Sequence, residues 1–431
     1  MDKNRFWIIL IVVHLLFFSK QMFIGNSLIQ DSKEYLFAAN NIIEHQTLYA
    51  WNLNHAFNAD WLTKRPILYP LILAILKILS FGSSYIFYFL IYALQNIISL
   101  ASIYLCLKIT EHFKIKVNWW KATLFMVLCV SQFIYANMIM SEIWLQFTLI
   151  SILYFSLTRS LNTKTTGILV FLIIAAMSLK PVMIFATLAM PFVFIFICMK
   201  SGNWVRLFIV FIPLLFFLSV SAINKERTGY FHYSSISTIN LLHYNTYSVL
   251  MHEYGQKTAD SIIDNIHTRA QIMSSYSEEQ MEIQKSCKTQ LFEHIGTYTF
   301  LHFRGILFCL MDPGRFDFTQ FFNLTHKQNL LYESNKEGGI FRILKSFQNP
   351  LGILLMGLLL FNLYKIFLWI KFITSKHFKW GTKLLLLAIP IYILGLTGPI
   401  GTSRFFMPLI PFIFLIFLLV SKQTEIAGKS N

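Results

Sequence analysis

Charge is what this chain has least of. Only 13% of its 431 residues are Asp, Glu, Lys or Arg, against roughly 25% in a water-soluble domain. Hydrophobic residues make up 56%, Phe alone supplies 43, and the mean hydropathy is +0.58. No soluble core can hide so much apolar surface, so a water-soluble globular protein is excluded and the excess must face lipid. Acid is scarcer than base: 20 Asp and Glu against 36 Lys and Arg leave a formal net charge of +16. A basic chain suggests nucleic acid, but here the basic residues sit in short loops between apolar runs, where the positive-inside rule puts them. No nucleic-acid partner is expected. Cysteine is also rare, with five residues. Cys106, Cys129 and Cys198 fall in or at the ends of apolar runs and read as packing residues. Cys287 and Cys309, in a more polar region, lack metal-like spacing and are a weak basis for a bridge. His232, His243, His252, His294, His302 and His326 show no metal spacing such as His-Glu-x-x-His. Repeats and low-complexity tracts are absent.

What is present is a succession of apolar runs. The first, about Phe6 to Phe18, follows Lys3 and Arg5 and has the look of a signal peptide. No small-residue cleavage site follows closely, so it reads as an uncleaved anchor with a cytoplasmic N-terminus. Further runs lie near 66–80, 84–107, 122–140, 142–158, 166–179, 181–199, 204–222, 351–370, 382–397 and 405–421. Several are shorter than the roughly 20 residues an upright span needs. The expected fold is an all-α polytopic membrane protein with roughly 10–12 spans of that kind.

Positive charge sets the expected topology. Lys108, Lys114, Lys116 and Lys121 crowd one loop, Arg159 and Lys164 mark a second, Lys200 and Arg206 a third, and Lys371, Lys376, Lys379 and Lys383 a fourth. All four belong in the cytoplasm. Alternation then requires the stretch 66–107 to cross an odd number of times. On that arrangement 24–65, the Ser141–Glu142 turn, 180–181, the polar stretch 223–350 and the 398–404 turn lie outside. Three regions follow. Residues 1–222 form an N-terminal transmembrane module that includes the first external loop, 24–65. Residues 223–350 are an external region suited to acceptor recognition, in which Tyr298–Met311 reads as an interfacial helix because of His302 and Arg304. Residues 351–431 are C-terminal transmembrane helices.

The first external loop reads Asp31-Ser-Lys-Glu-Tyr35-Leu-Phe-Ala-Ala-Asn-Asn, then Lys64-Arg65-Pro66-Ile-Leu-Tyr69-Pro70 at the mouth of the next run. Asp31, Tyr35, Ala38 and Ile42 share one helical face by their spacing. Ser141-Glu142 starts an apolar run, Lys180-Pro181 separates two, and Arg404-Phe-Phe-Met-Pro408-Leu-Ile-Pro411 opens the last. In order and placement this resembles the GT-C superfamily of membrane glycosyltransferases, in particular the branch containing protein O-mannosyltransferases and lipid A aminoarabinose transferases. The resemblance covers most of 1–222 and 382–421 and is loose in 223–350. Ile67 departs from it, standing where those proteins usually carry a second Pro.

The resemblance implies a glycosyltransferase that moves a hexosyl or pentosyl group from a polyprenyl-phosphate sugar to a lipid, glycan or protein acceptor at the external face of a bacterial inner membrane. That chemistry needs a carboxylate to take the acceptor proton and cations to stabilise the departing phosphate. Asp31 matches the family's base; equally, Asp31-Ser-Lys-Glu34 has the form of a helix capping box. Glu142, at the outer end of an apolar run, is a second acidic candidate, or a water-exposed cap. Glu34 and Asp60 are further carboxylates of the same loop, or solvated ones. Lys64, Arg65 and Arg404 are candidate phosphate clamps, or headgroup anchors; Lys180, beside Pro181, lies outside against the local charge bias and is a further substrate-binding candidate. Tyr35 and Tyr69 line a sugar or prenyl groove, or form an interfacial belt. No cofactor is evident; some branches of the superfamily use a divalent cation, for which the sequence gives no case. Two rival classes remain. An O-antigen polymerase or ligase relies on external arginines and needs no acidic first loop. A transporter or flippase predicts charges buried at mid-span and related halves, whereas here the charges cluster at span ends and no internal symmetry appears.

Overall fold

The computed structural model describes residues 1–25, 28–186, 204–324 and 350–427. Among them every regular element is helical. Helix α1, Lys3–Ser19, starts where the Asp2 carboxylate accepts from the Arg5 amide at 2.9 Å, and it continues as a π-turn through Lys20–Ile24. Such a cap occupies one of the amides that a helix start leaves without a partner. The same device opens α5, Ser84–His112, α6, Trp119–Leu128, and α9, Thr163–Leu179, where Ser83, Asn118 and Asn162 are the caps. Helix α6 is followed after Cys129 by α7, Val130–Ala136, bent by 60°.

Five described helices are long and apolar enough to cross a bilayer: Lys3–Ile24, Ser84–His112, Trp204–Thr228, Pro350–Thr374 and Ser403–Ser421. The bent pair α6–α7 would make a sixth, and five shorter apolar helices of 10–17 residues accompany them. The protein is an all-α, multi-pass membrane protein. Its last span stands apart. Of its apolar window 89% is buried inside the protein, against 22% for Trp204–Thr228. A helix that is apolar all round and enclosed is a core element, and the spans Ser84–His112 and Pro350–Thr374 pack against this one.

The stretch 66–107 contains one helix of crossing length. Helix α5 runs antiparallel to α1: Lys3 Nζ meets Glu111 at 3.3 Å, His14 Nε2 meets Ser99 Oγ at 2.9 Å, and the rings of Phe18 and Phe89 lie 5.5 Å apart. Helix α4, Leu68–Leu79, instead lies along α2, Gln30–His45. Arg65, just before α4, reaches Asp31 and Glu34 near the start of α2, and Lys77 reaches Asn40 and Glu44 near its end. So α2 and α4 run side by side at the end of the bundle opposite Lys3.

The polar stretch packs on the first loop at that same end. Thr63 Oγ1 and His232 Nε2 are 2.8 Å apart, Ser235 Oγ donates to the Asp60 carbonyl at 2.8 Å, and Tyr276 donates to the Asp60 carboxylate at 2.6 Å. Asp60 is therefore a tie between regions, not a solvated loop carboxylate. Helices Tyr247–Tyr254, Gln256–Gln271 and Tyr276–Glu293 form a small core of their own around Leu250, Ile263, Ile266 and Cys287. The apolar stretch is a helix, Ile295–Met311. Cys106, Cys129, Cys287 and Cys309 are all buried free thiols. Cys198, Lys200 and His326 lie outside the described residues.

Candidate functional site

Charged side chains from five places in the sequence meet beside α2. Lys64 Nζ binds Glu34 Oε1 at 3.0 Å. Arg65 donates from Nε to Glu34 Oε2 at 2.7 Å and from its terminal nitrogen to Asp31 Oδ1 at 2.6 Å. Arg404 donates from its terminal nitrogen to Asp31 Oδ2 at 2.5 Å and from Nε to Glu142 Oε1 at 2.6 Å. Lys180 Nζ reaches the same Glu142 oxygen at 2.9 Å. The result is an unbroken line of alternating sign, Lys64–Glu34–Arg65–Asp31–Arg404–Glu142–Lys180. Buried charges are tolerated only when paired and hydrogen-bonded, and here each carboxylate is held by two cations. Four cations face three carboxylates, so the line carries one positive charge in excess.

Each member is placed by a helix terminus. Asp31 is in the first turn of α2, Glu142 begins α8, Glu142–Thr158, Lys180 follows α9, and Arg404 opens the last span. Two of the sequence alternatives are thereby corrected. The α2 N-cap is Ile29, with no side-chain cap bond, so Asp31 does not act as a capping residue; its carboxylate is committed to Arg65 and Arg404. Glu142 is 2% exposed and doubly paired, which removes the water-exposed cap. Glu34, read as a possible solvated carboxylate, is as deeply buried and bridges Lys64 to Arg65.

Tyr35 and Tyr69 lie under the line, not in an open groove. Both are buried, with rings 4.8 Å apart edge to face, and the Arg65 guanidinium sits over Tyr35 at 5.0 Å. The Tyr35 hydroxyl meets Ser141 Oγ at 3.1 Å, beside Glu142, and Tyr69 donates to Gln95 at 2.8 Å. The line is more open at the other end: the side chains of Asp31, Arg404 and Lys180 are 21%, 22% and 20% exposed, against 14% for Lys64, 9% for Arg65 and 2% for Glu34. An incoming anion therefore meets Arg404 and Lys180 first. Burial alone would push the Asp31 carboxyl up, but the guanidiniums of Arg404 and Arg65 outweigh it and hold the group well below the usual carboxylate range.

A second pair of acids positions Arg404. The Ser403 amide donates to Asp312 Oδ2 at 2.9 Å, and its hydroxyl donates to Asp317 Oδ2 at 2.8 Å. Tyr135 donates to the other Asp317 oxygen at 2.7 Å. Burial pushes the Asp317 carboxyl up to about 7, against the hydrogen bond from Tyr135, with Asp312 adding to the rise. The turn before Ser403 is seated by glycine. A Cβ on Gly305 would stand 2.1 Å from the Gly398 carbonyl oxygen, and one on Gly401 would stand 1.8 Å from that of Gly305. The sequence reading missed Asp312 and Asp317; the signal for them was the Asp312-Pro313-Gly314 turn directly after an apolar helix. It also placed charges only at span ends. Lys365, buried inside the span Pro350–Thr374, is an exception, donating to Asn362 at 2.9 Å with its ammonium over the Phe361 ring.

A divalent ion does not fit the line, because each of its carboxylates is already paired with Arg or Lys. Fold and site together define a multi-pass helical membrane protein with a cationic, acid-bearing site at one end of its bundle. No family model and no curated protein matches the chain. Two solved structures do. ArnT from Cupriavidus metallidurans bound to undecaprenyl phosphate shares 12% identity at a TM-score of 0.38, covering 98% of this chain and 78% of that one. The same protein in the apo state shares 13% identity at a TM-score of 0.36, with the same coverage. At that distance the likeness carries no functional argument, and function is read from the site.

Proposed function

We propose that the protein is a GT-C-type glycosyltransferase that moves a sugar from a polyprenyl-phosphate donor to an acceptor at the membrane face where the charged line lies. The observation that carries this reading is the line itself: one positive charge in excess, open at Arg404 and Lys180, with a carboxylate, Asp31, beside the opening. A sugar linked to a lipid through a phosphodiester brings one negative charge to that opening. As the bond from the anomeric carbon to the phosphate oxygen breaks, its electron pair stays on the phosphate, and Arg404 and Lys180 stabilise the added charge. Arg65 is committed to Asp31 and Glu34 and serves to orient them, with Lys64 behind it. Asp31 accepts the proton of the attacking acceptor. It becomes available as the phosphate draws Arg404 away, because at rest both its oxygens are held. The helices of 223–324, packed on the first loop, offer the acceptor surface.

The test is Asp31→Asn in proteoliposomes supplied with a radiolabelled polyprenyl-phosphate sugar. Asn keeps the size and removes the proton-accepting charge. Transfer should fall by roughly 10²–10⁴-fold, the usual worth of general acid–base catalysis, with donor binding retained. Near-normal transfer by this variant refutes the assignment of Asp31.

A further inference from the structure

The charged line contains six carboxylate oxygens, and five have cationic partners. The sixth, Glu142 Oε2, is buried with no hydrogen-bond partner among the described residues. One turn along the same helix, Gln146 Oε1 is buried and unpartnered as well. Residues at i and i+4 are neighbours on one helix face, so the two acceptors without a donor lie on the same face of this helix.

The orientation of Gln146 is fixed from below. His14 Nδ1 lies 2.8 Å from the Leu10 carbonyl, which can only accept. In an uncharged imidazole Nε2 is then the acceptor, and the Ser99 hydroxyl, 2.9 Å away, donates to it. Ser99 Oγ accepts from Gln132 Nε2 at 2.7 Å, and Gln132 Oε1 accepts from Gln146 Nε2 at 2.8 Å. All four side chains are buried. The polarity of this file leaves the Gln146 carbonyl as the acceptor at its upper end, beside Glu142. A buried acceptor without a donor costs about 1–3 kcal/mol; a proton on Glu142 Oε2 would remove that cost at Glu142 and turn a donor toward the face that carries Gln146.

We propose that Glu142, backed by Gln146, holds a proton on Oε2 whenever a phosphate monoester occupies the Arg404–Lys180 end of this site. This rests on the reading of the site as one for a lipid phosphate. The charged and titratable groups facing Glu142 are Arg404 and Lys180 on Oε1, with Tyr69 and Tyr135 nearby and Asp31 on the far side of Arg404. At rest the two cations keep Glu142 ionised. In transfer, the anomeric carbon–phosphate oxygen bond breaks with its electrons on the phosphate, the bond from the acceptor heteroatom to that carbon forms, and the acceptor loses its proton. Asp31 takes the acceptor proton and releases it to water, and Glu142 takes up one proton on Oε2 as Arg404 and Lys180 turn to the phosphate. The phosphodiester was a monoanion and the product monoester is close to a dianion near neutral pH. One retained proton leaves the net charge of the loaded site unchanged across the reaction.

The experiment is infrared difference spectroscopy of the purified protein in lipid, with a short-chain prenyl monophosphate added, beside a separate binding titration of the same compound. Wild type should gain the carbonyl band of a protonated carboxylic acid when the phosphate binds. Glu142→Gln, in which an amide donor replaces the acid proton, should bind the phosphate and lose the band. Gln146→Leu should keep the band but shift it, because the acid loses its hydrogen-bond acceptor. Binding by wild type without a protonated-carboxyl band overturns the inference and leaves the functional reading standing. So does a band that survives in Glu142→Gln, which assigns the proton to another carboxyl. Absence of prenyl phosphate binding by wild type overturns both.

Discussion

Arg404 joins Asp31 to Glu142 with two faces of one guanidinium, the terminal nitrogen 2.5 Å from Asp31 Oδ2 and Nε 2.6 Å from Glu142 Oε1. The two carboxylates are 111 positions apart in the chain, and a side chain that opens the last span makes them one unit. A planar fork is suited to this because its donors point in fixed, different directions, which an ammonium cannot reproduce.

From that geometry, Arg404→Lys should fold yet transfer poorly. The charge survives, but only one of the two carboxylates can be held well. Arg404→Ala should also lower stability. Breaking a fully buried pair costs about 3–5 kcal/mol, and less is expected here because Arg404 and Asp31 are both about one-fifth exposed. Transfer rates and melting temperatures of the two variants separate the effects. Wild-type transfer by Arg404→Lys would reduce the residue to a headgroup anchor.

Asp317 should make stability depend on pH. Its carboxyl titrates near 7 in the folded protein, against an ordinary value of 3.8. The folded state therefore binds the proton more tightly than the unfolded chain, and stability falls as pH rises between those values, then levels off above 7. The slope is at most about 1.4 kcal/mol per pH unit for one group. Melting curves from pH 5 to 8 should show this decline in wild type and a weaker one in Asp317→Asn. An equal slope in both would place the titration elsewhere. Asp31 works in the opposite sense: its depressed value lends stability at neutral pH that is lost only in strong acid.

Gly305→Ala should damage the site from a distance. The added methyl would meet the Gly398 carbonyl at 2.1 Å, in the turn that carries Arg404, whereas Gly296 on the same helix has open space around it. The expected outcome is a lower melting temperature and reduced transfer for Gly305→Ala, with Gly296→Ala near wild type. Equal behaviour of the two variants would show that the turn adjusts freely.

The packing of the first loop on the polar stretch predicts that both lie on one side of the membrane. Single cysteines at Asn54 and Ser274, in a background without accessible thiols, should be labelled together by an impermeant reagent in intact cells, or protected together. Labelling of one alone contradicts the packing of Asp60 against Ser235 and Tyr276.

Much of the charged line was legible in the sequence, for a physical reason. In a chain so poor in charge, an acid or base at the mouth of an apolar run is conspicuous, and Asp31, Lys64, Arg65, Glu142, Lys180 and Arg404 all stand there. Pairing was not legible, because it depends on which helix ends meet. Glu34 looks solvated until Lys64 and Arg65 close over it. Asp312 and Asp317 belong to a polar stretch with no periodic cue, and only the fold brings them under Ser403. The apolar run 66–80 reads like a short span, yet α4 lies along α2. A helix of 12 mostly apolar residues fits either role, and its Lys77 reaching Asn40 and Glu44 settles it in the structure.

The enclosed last span has a consequence for how the molecule is made. Among the described helices it comes last in the chain, yet it occupies the middle of the bundle. A ribosome delivers it after its surroundings, so the earlier helices must wait around an unfilled centre, or in some looser grouping, until it slots in. Arg404 arrives with it. Until then Asp31 and Glu142 lack their shared guanidinium, and the nascent protein carries two under-paired acids at the membrane surface. Completion of the core and arming of the site are thus a single late event in biogenesis, and a chain cut short before Ser403 loses its centre and its chemistry together.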